Sequence, residues 1–384
     1  MSENDAFIQL NNIHKIFQTA AGQFPALKGI SVNFSQSEFV SVVGRSGSGK
    51  STLVNMITGI DKPTNGEVII SGTEIHKLQE NDMATWRGRN LGIVFQFYQL
   101  LPIMTLLENV MLPMELANLY TPVERKKRAM ELLDLVGVAK QASKRPASVS
   151  GGQQQSAAIA RALANDPPIV VADEPTGNLD STSAENIFQI FNTLTEQGKT
   201  IIMVTHDNDL AKRAQRIMLI SDGEVVNETI ASTLPLLTHG QMLKATRSSE
   251  ELIFEPGEPI IKQGQTVRAF YMITQGLVDV SIRRRNAEMK IASMGPGQYF
   301  GEIELLTVPG ATAIATITAN VRGPVRMLTL NRKLFNELME DAVEMKEEIR
   351  RIARERFDDN KISRRAHNIF TFKNLQPFRK KVKK

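Results

Sequence analysis

The chain has 384 residues, a length that usually accommodates two domains and their connecting segments. Its 42% hydrophobic and 23% charged residues are typical of a globular protein and exclude a wholly disordered or fibrous chain. No apolar run reaches about 18 residues and the first residues lack a secretory signal, so we expect neither a membrane span nor secretion. The absence of Cys excludes disulfides and thiolate metal sites. The formal charge of +5 admits an anionic partner such as nucleic acid, lipid or phosphate.

Residues 1–230 alternate short apolar runs with longer helical stretches. We predict buried strands, each bounded by turn residues, at 38–44, 90–96, 168–174, 199–206 and 216–223. Helices are predicted at 50–59, 123–136, 153–163 and 183–196. Buried strands separated by helices predict an α/β domain with a mostly parallel sheet.

The pattern changes after Gly223. Residues 231–249 show no clear period and are predicted to be a linker. From 250 to about 330, short alternating strands punctuated by glycines predict an antiparallel β-barrel or jelly roll. Apolar residues at helical spacing in 333–356 predict a C-terminal helix. We therefore predict a second domain of β-roll plus helix at 250–357, followed by a basic tail at 358–384.

A glycine-rich loop, GRSGSGKS at 44–51, follows the first predicted strand and precedes a helix, as phosphate binding requires. Backbone N–H groups of such a loop wrap phosphates, and the helix N-terminus adds a favourable dipole. We expect Lys50 to reach the β- and γ-phosphates of a nucleotide and the Ser51 hydroxyl to bind Mg²⁺. The predicted phosphate-binding residues are Gly44, Ser46, Gly47, Gly49, Lys50, Ser51 and Thr52.

An apolar strand, IVVADEP at 169–175, ends in two acidic residues. Asp173 is suited to hold Mg²⁺ beside Ser51, directly or through water. Glu174 is suited to polarise an attacking water as a general base. Beside a phosphate-binding loop, this acidic pair predicts a hydrolytic site.

A second group of backbone donors opens another predicted helix at VSGGQQQ, 149–155. Its Ser and two glycines can also hold phosphate. Two separate phosphate-binding segments in one chain suggest that two chains enclose the nucleotide between unlike surfaces. The residues predicted for this role are Ser150, Gly151, Gly152 and Gln153.

Over roughly residues 6–230 the sequence resembles the ATP-binding cassette (ABC) ATPases. The matching motifs are Walker A at Gly44–Thr52, the Q-loop at Gln96, the signature at Ser150–Gln153, Walker B at Val170–Glu174, the D-loop at Gly177–Asp180 and the switch histidine His206. The resemblance implies that Gln96 senses Mg²⁺ and relays nucleotide state to a membrane partner, and that His206 contacts the γ-phosphate. It also implies that Phe17 stacks on adenine and that two copies close head-to-tail on two ATP·Mg²⁺.

Within that family, three stretches are most similar to ATPases of lipoprotein-releasing, macrolide-exporting and cell-division systems: 46–68, 95–113 and 172–188. The resemblance implies transmembrane permease subunits, mechanical work and a location at the cytoplasmic face of the membrane. One residue departs from the subfamily, which usually has Arg where this chain has Ser156. The alternative is a soluble, non-transport ABC ATPase regulated by a cyclic nucleotide or another small ligand.

Residues 250–357 resemble a cyclic-nucleotide-binding domain, on the evidence of Gly257, Gly264, Tyr271 and Gly276 and of MGPGQYFGEIELL at 294–306. The resemblance implies that Glu302 binds the ribose 2′-hydroxyl. The following segment, 307–319, lacks the family's phosphate-binding Arg, and Glu304 adds a negative charge. A phosphate buried without a cation is poorly compensated. Three uses stay open: cyclic nucleotide binding, interaction or dimerisation, and another ligand.

The positive charge of the chain is concentrated in the tail. Residues 361–384 contain nine Lys or Arg and no acidic residue, so the rest of the chain is net negative. The tail is either a solvated end or a tether to anionic lipid headgroups. We therefore expect no nucleic-acid partner.

Overall fold

The computed structural model describes residues 6–20, 22–177, 179–284, 287–306 and 311–363. The chain divides after Val225 into two compact units. Within the described residues, no helix is both long enough and apolar enough to cross a membrane. The last residues of the predicted tail, 364–384, lie outside the described part.

The first unit is a mixture of strands and helices. Its strands are β1 (Ile8–Thr19), β2 (Gly22–Phe34), β3 (Phe39–Val43), β4 (Asn65–Ile70), β5 (Thr73–Glu74), β6 (Leu91–Val94), β7 (Ile169–Asp173), β8 (Thr200–Val204), β9 (Arg216–Ser221) and β10 (Glu224–Val225). Its helices are α1 (Lys50–Thr58), α2 (Glu80–Asn90), α3 (Leu106–Leu116), α4 (Pro122–Leu135), α5 (Gly151–Ala162), α6 (Ser181–Glu196) and α7 (Asn208–Ala211). The predicted strands and helices are present, with ends that differ by a few residues.

The central sheet has the order β10-β9-β3-β8-β7-β6 and is parallel except for β10. Successive side chains of a strand point to opposite faces, so both faces of the sheet are buried. In β7, Val171 packs into the core shared with α1, and Val170 packs into the core shared with α3–α6. The parallel strands β3, β7 and β8 therefore end at one edge of a rigid sheet.

A second sheet in this unit is antiparallel, has the order β2-β1-β4-β5 and was not predicted from the sequence. Strands β1 and β2 pair along their length, which places Phe17 opposite Phe24. The register shifts at three places, including one between Leu10 and Ile13. These irregularities interrupt the two-residue alternation by which a strand is recognised in a sequence.

The second unit contains two four-stranded antiparallel sheets, ordered β11-β18-β13-β16 and β12-β17-β14-β15. Its strands are β11 (Glu250–Phe254), β12 (Pro259–Ile261), β13 (Ala269–Gln275), β14 (Val278–Arg284), β15 (Ala287–Met294), β16 (Tyr299–Phe300), β17 (Thr316–Ala319) and β18 (Val325–Asn331). Its helices are α8 (Glu228–Thr233), α9 (His239–Ser248), α10 (Glu302–Leu306), α11 (Arg332–Asp341) and α12 (Val343–Ser363). An apolar core between the sheets includes Ile273, Val278, Ile317 and Met327.

Two features of the second unit differ from the prediction. The segment 231–249 is largely helical, and α9 packs in the second unit, where Lys244 forms an ion pair with Glu337 of α11. The predicted single C-terminal helix is two helices, because Ala342 leaves the helical conformation between α11 and α12. The second unit therefore begins at Val226 and not at residue 250.

Candidate functional site

A cleft of about 470 Å³ lies in the first unit where the parallel strands end. The loop after β3, the end of β7 and the segment after β8 all contribute to its wall. In open parallel sheets, ligands bind at the carboxyl ends of the strands. The lining residues are Phe17, Phe24, Ala26, Gly44, Ser46, Gly47, Gly49, Lys50, Ser51, Thr52, Gln96, Asp173, Glu174 and His206.

The loop between β3 and α1 has a backbone that requires glycine at two kinds of position. Gly47 and Gly49 have φ values of 77° and 105°, in the left-handed region that other residues rarely adopt. At Gly44, a Cβ atom would lie 2.3 Å from the Ile220 carbonyl oxygen. The loop therefore keeps its backbone open toward the cleft, as a phosphate cradle must.

Lys50 is held at the base of this loop. Its Nζ donates to the carbonyl oxygens of Gly44 and Arg45, at 2.9 and 3.0 Å. Lys50 is also the first residue of α1, whose N-terminus carries partial positive charge. The ammonium group and the helix end thus act together on any anion in the loop.

Ser51 and Asp173 offer a hydroxyl and a carboxylate, which are the hard oxygen donors that Mg²⁺ prefers. Burial raises the pKa of the Asp173 carboxyl, the charge of Glu174 adds to this, and Ser51 and Lys50 oppose it. A cation bound at this point would favour the ionised carboxylate. The donor set therefore fits the Mg²⁺ that accompanies a nucleotide.

Glu174 and His206 form a pair inside the cleft. The Oε2 atom of Glu174 lies 2.6 Å from Nδ1 of His206. The Glu174 side chain is only 13% exposed, whereas that of His206 is 71% exposed. An ionised carboxylate can only accept, so Nδ1 donates to Glu174 and Nε2 is left for a further partner. The φ of Glu174 is 50°, a backbone angle that is rare for residues other than glycine.

Phe17 and Gln96 also reach the cleft, from the antiparallel sheet and from the segment after β6. Phe17 is 37% exposed, and the Nζ atom of Lys15 lies 5.1 Å from the centre of its ring. Phe24, which faces Phe17 across the β1–β2 pair and is 52% exposed, was missed because that hairpin was not predicted. The signal available in the sequence was a second aromatic residue seven positions after Phe17.

The residues Ser150–Gln153 do not line this cleft. Ser150 caps α5, accepting from the Gln153 backbone N–H at 3.3 Å, and the Gln153 side chain accepts from the Ser150 N–H at 3.2 Å. A cap of this kind leaves other N–H groups of the first helical turn without partners in the helix. One chain therefore holds two spatially separate groups of residues that are predicted to bind phosphate.

In the second unit, the predicted ribose-binding residue Glu302 is buried and already paired. Its Oε1 atom accepts from Nη1 of Arg356, on α12, at 2.7 Å, and Glu302 is 1% exposed. The same Nη1 atom donates to the Tyr299 carbonyl oxygen at 2.8 Å, and the guanidinium lies over the Tyr299 ring. Glu302 is thus bound to a residue of its own chain.

The cavity of the β-roll is narrow, about 90 Å³, and its wall is mainly apolar. Arg356 is the one cationic side chain among the described residues that line it, and Glu304 adds a carboxyl whose pKa is raised by burial. Residues 307–310 of the phosphate-binding segment lie outside the described part, and their sequence, TVPG, contains no cation. These residues do not fit a cyclic nucleotide, because its phosphate would have no free cation to pair with.

Comparisons with known proteins agree with both units. The family model of the ABC transporter matches residues 27–177, and that of the cyclic nucleotide-binding domain matches residues 251–342. An ABC transporter ATP-binding protein of Thermotoga maritima is 45% identical over 218 residues, which are 57% of this chain and 93% of the relative. The ABC transporter ATP-binding protein MJ0796 of Methanocaldococcus jannaschii is 44% identical over 225 residues, 58% of this chain and 96% of the relative.

Among solved structures, the dimeric post-hydrolysis state of the MJ0796 cassette bound to ADP and Pi is similar, with 43% identity and a TM-score of 0.56. The similarity covers 57% of this chain and 97% of that chain. Both the relatives and this structure thus match little more than half of the chain, in keeping with a cassette that carries an additional domain. The chain belongs to the ATP-binding proteins of ABC transporters, and it is an ATPase with a second domain of the cyclic nucleotide-binding type.

Proposed function

We propose that two copies of this chain close head-to-tail on two ATP molecules and drive a membrane permease of the exporter or mechanotransducer kind. The observation that carries this proposal is the separation of the two phosphate-binding groups within one chain. The cleft collects the loop, acidic and histidine residues, whereas Ser150–Gln153 lie outside it. A second copy in the opposite orientation would supply the missing surface to each cleft.

In this account each nucleotide is held by Lys50 and by the backbone of the 44–49 loop, with Phe17 against the adenine. Ser51, Asp173 and Gln96 would hold Mg²⁺, which neutralises charge on the phosphate oxygens when bound. Ser150 and the N–H groups that follow it would contact the γ-phosphate bound by the other copy. The nucleotide thus becomes the link between the two chains.

Glu174 acts as the general base and polarises the attacking water. His206 keeps the Glu174 carboxylate oriented through their 2.6 Å contact. The Nε2 atom of His206 is the atom available to the γ-phosphate, and it donates there when the ring carries both protons. Hydrolysis then removes the γ-phosphate that both copies contact, so the copies separate.

The coupling to a permease is supported by the family and by the exposed residues after Gln96. Phe97 and Ile103 in this stretch are 73% and 77% exposed. A closing movement of the cassettes would be passed to membrane helices through this surface. The cytoplasmic face of the membrane is the location that this role requires.

The experiment compares ATP binding and hydrolysis by the wild-type chain and the Glu174→Gln variant. We expect the variant to bind ATP with unchanged affinity and to lose at least about 100-fold in turnover, the range for a positioned acid–base group. Near-normal hydrolysis by the variant would contradict the role of Glu174. Purification of the wild-type chain from detergent-solubilised membranes should retain a permease, and its recovery without any integral membrane protein would contradict the transport role.

We further propose that the β-roll is an interaction or dimerisation module. Arg356 already binds the Glu302 carboxylate, which is the group that a ribose hydroxyl would need. Among the described residues that line the cavity, no cation is free to bind a phosphate. A cassette regulated directly by a cyclic nucleotide is the alternative. Isothermal titration with cyclic nucleotides distinguishes the two, because only the alternative requires the β-roll to bind them.

A further inference from the structure

Arg161, on the signature helix α5, binds the backbone of the segment that follows Gln96. Its Nη1 and Nη2 atoms donate to the carbonyl oxygens of Gln99 and Tyr98, at 2.6 and 2.9 Å. Among the described residues, no carboxylate forms an ion pair with Arg161. The Arg161 side chain is half-buried, and this burial lowers the pKa of its guanidinium. A half-buried arginine that donates to two carbonyl oxygens of one segment holds the backbone of that segment in place.

The backbone that it holds is unusual. Tyr98 and Gln99 have φ values of 35° and 50°, and both therefore lie in the left-handed region. Two successive non-glycine residues in that region persist only when surrounding contacts impose the conformation. The two bonds from Arg161 are contacts of this kind.

The same segment touches the other end of α5. The Tyr98 hydroxyl packs so closely on Gly151 that a Cβ atom there would lie 2.8 Å from it. Gly151 is the first residue of α5 and follows Ser150 directly. The helix thus contacts the segment at two points ten residues apart, about 15 Å along its axis. A link at both ends lets the segment and the helix move as one body.

We propose that Arg161 is a positioning residue that couples the nucleotide cleft of one copy to the signature surface that this copy presents to its partner. Gln96 lines the cleft and lies only two residues before Tyr98. A displacement of Gln96 by bound nucleotide is therefore passed through the 98–99 segment to α5 and to Ser150. This inference rests on the proposed function, because the signature surface acts on the ATP of the other copy.

The side chain type matters for this role. A guanidinium is a planar fork that reaches two carbonyls at once, whereas an ammonium is a point charge on a flexible stem. Arg161→Lys should therefore retain part of the coupling, and Arg161→Gln should lose most of it.

The test places Arg161→Gln in a Glu174→Gln chain, which should bind ATP without hydrolysing it. Binding is measured with a fluorescent ATP analogue, and dimerisation is measured by light scattering during an ATP titration. We expect the affinity for the analogue to change less than about twofold, whereas the ATP concentration for half-dimerisation rises at least about tenfold, a difference of about 1.4 kcal/mol. Arg161→Lys should give an intermediate value.

Arg128 provides a matched control on α4. Its Nε and Nη2 atoms donate to the carbonyl oxygens of Ala164 and Leu163, at 2.6 and 3.3 Å, and not to the 98–99 segment. Arg128→Gln should leave the ATP concentration for half-dimerisation within about twofold of that of the parent chain, because most substitutions away from such contacts have small effects. An equal defect in both variants would show a loss of general stability and overturn the inference.

Two further outcomes are decisive. Unchanged dimerisation of the Arg161→Gln chain overturns the inference alone, whereas failure of the parent Glu174→Gln chain to dimerise overturns the proposed function.

If Arg161→Gln does not fold, Tyr98→Ala removes the contact with Gly151 and keeps the bonds of Arg161 to the backbone. The inference requires Tyr98→Ala to raise the ATP concentration for half-dimerisation, and an unchanged concentration overturns it.

Discussion

Asp173 is the residue at which function and stability are most clearly opposed. In the proposed function it has to be ionised to hold Mg²⁺, yet burial and the neighbouring Glu174 raise the pKa of its carboxyl. An acid whose pKa is raised by folding binds a proton more readily in the folded state than in the unfolded state. Its contribution to the free energy of unfolding therefore becomes less favourable as the pH rises through that pKa.

The first prediction concerns Asp173→Asn without nucleotide. The variant should be more stable than the wild type at pH 8, because it removes a buried charge. This advantage should shrink as the pH falls through the raised pKa, since the wild-type carboxyl becomes protonated. Urea denaturation at pH values from 8 down through the ordinary titration range of carboxyl groups measures the difference in the free energy of unfolding.

Asp180 is the control for this prediction. Hydrogen bonds from Ser183 lower the pKa of its carboxyl, so its contribution has the opposite sign. Asp180→Asn should be neutral or destabilising at pH 8, and its effect should not grow at lower pH. An Asp173→Asn chain less stable than the wild type at pH 8 would contradict the assigned cause.

At the scale of elements, α12 is attached to the β-roll through the Glu302–Arg356 pair. Both side chains are largely buried, with exposures of 2% and 15%. Removing one partner of a buried pair leaves an uncompensated charge and typically costs 3–5 kcal/mol. The pair therefore fixes α12 against the β-roll, even though its formation from two solvated charges gains little.

The second prediction follows from this pair. Arg356→Gln should lower the free energy of unfolding of the second unit by about 3 kcal/mol. The double variant Glu302→Gln/Arg356→Gln should recover most of the loss, because no charge is then left unpaired. Thermal unfolding of the full chain measures both, and an additive double variant would contradict a direct interaction.

The sequence predicts the central sheet well because its strands are continuous apolar runs with both faces buried. It fails where local pattern and tertiary structure differ. The pairing of β1 and β2 is hidden in the sequence by register shifts. Helix α9 is too short to show a clear helical period, and the one sequence signal for its start is the capping box of Thr238 and Gln241. Most of the predicted cleft residues lie together because their motifs have a fixed place at the end of a parallel strand, whereas Phe17 reaches the cleft from within β1.

Other features could not be predicted, because they join residues that are far apart in the sequence. Arg356 reaches Glu302 from 54 positions away, and Arg161 reaches Gln99 from 62 positions away. The left-handed backbone at Tyr98 and Gln99 has no glycine to indicate it. Such contacts become visible only once the helices have packed.

At the scale of the whole molecule, an ATPase unit is joined to a domain that has the fold of a nucleotide sensor without a fitting cavity. The third prediction is that cyclic AMP and cyclic GMP at concentrations up to about 1 mM, which corresponds to a binding free energy of about −4 kcal/mol, give no binding heat in isothermal titration calorimetry. ATP hydrolysis should likewise be unchanged by either compound. Micromolar binding, or a change in hydrolysis that saturates, would contradict the proposal that the β-roll is an interaction or dimerisation module.

The central claim is that each ATP site is built from two copies of the chain. The most direct test is the molar mass of the Glu174→Gln chain in solution, measured by light scattering with saturating ATP and Mg²⁺, together with the amount of nucleotide retained. The account predicts a mass of twice 42.7 kDa with two ATP per dimer, and a monomer with ADP or when Lys50→Ala is added. A monomer that binds ATP at saturation would contradict the claim.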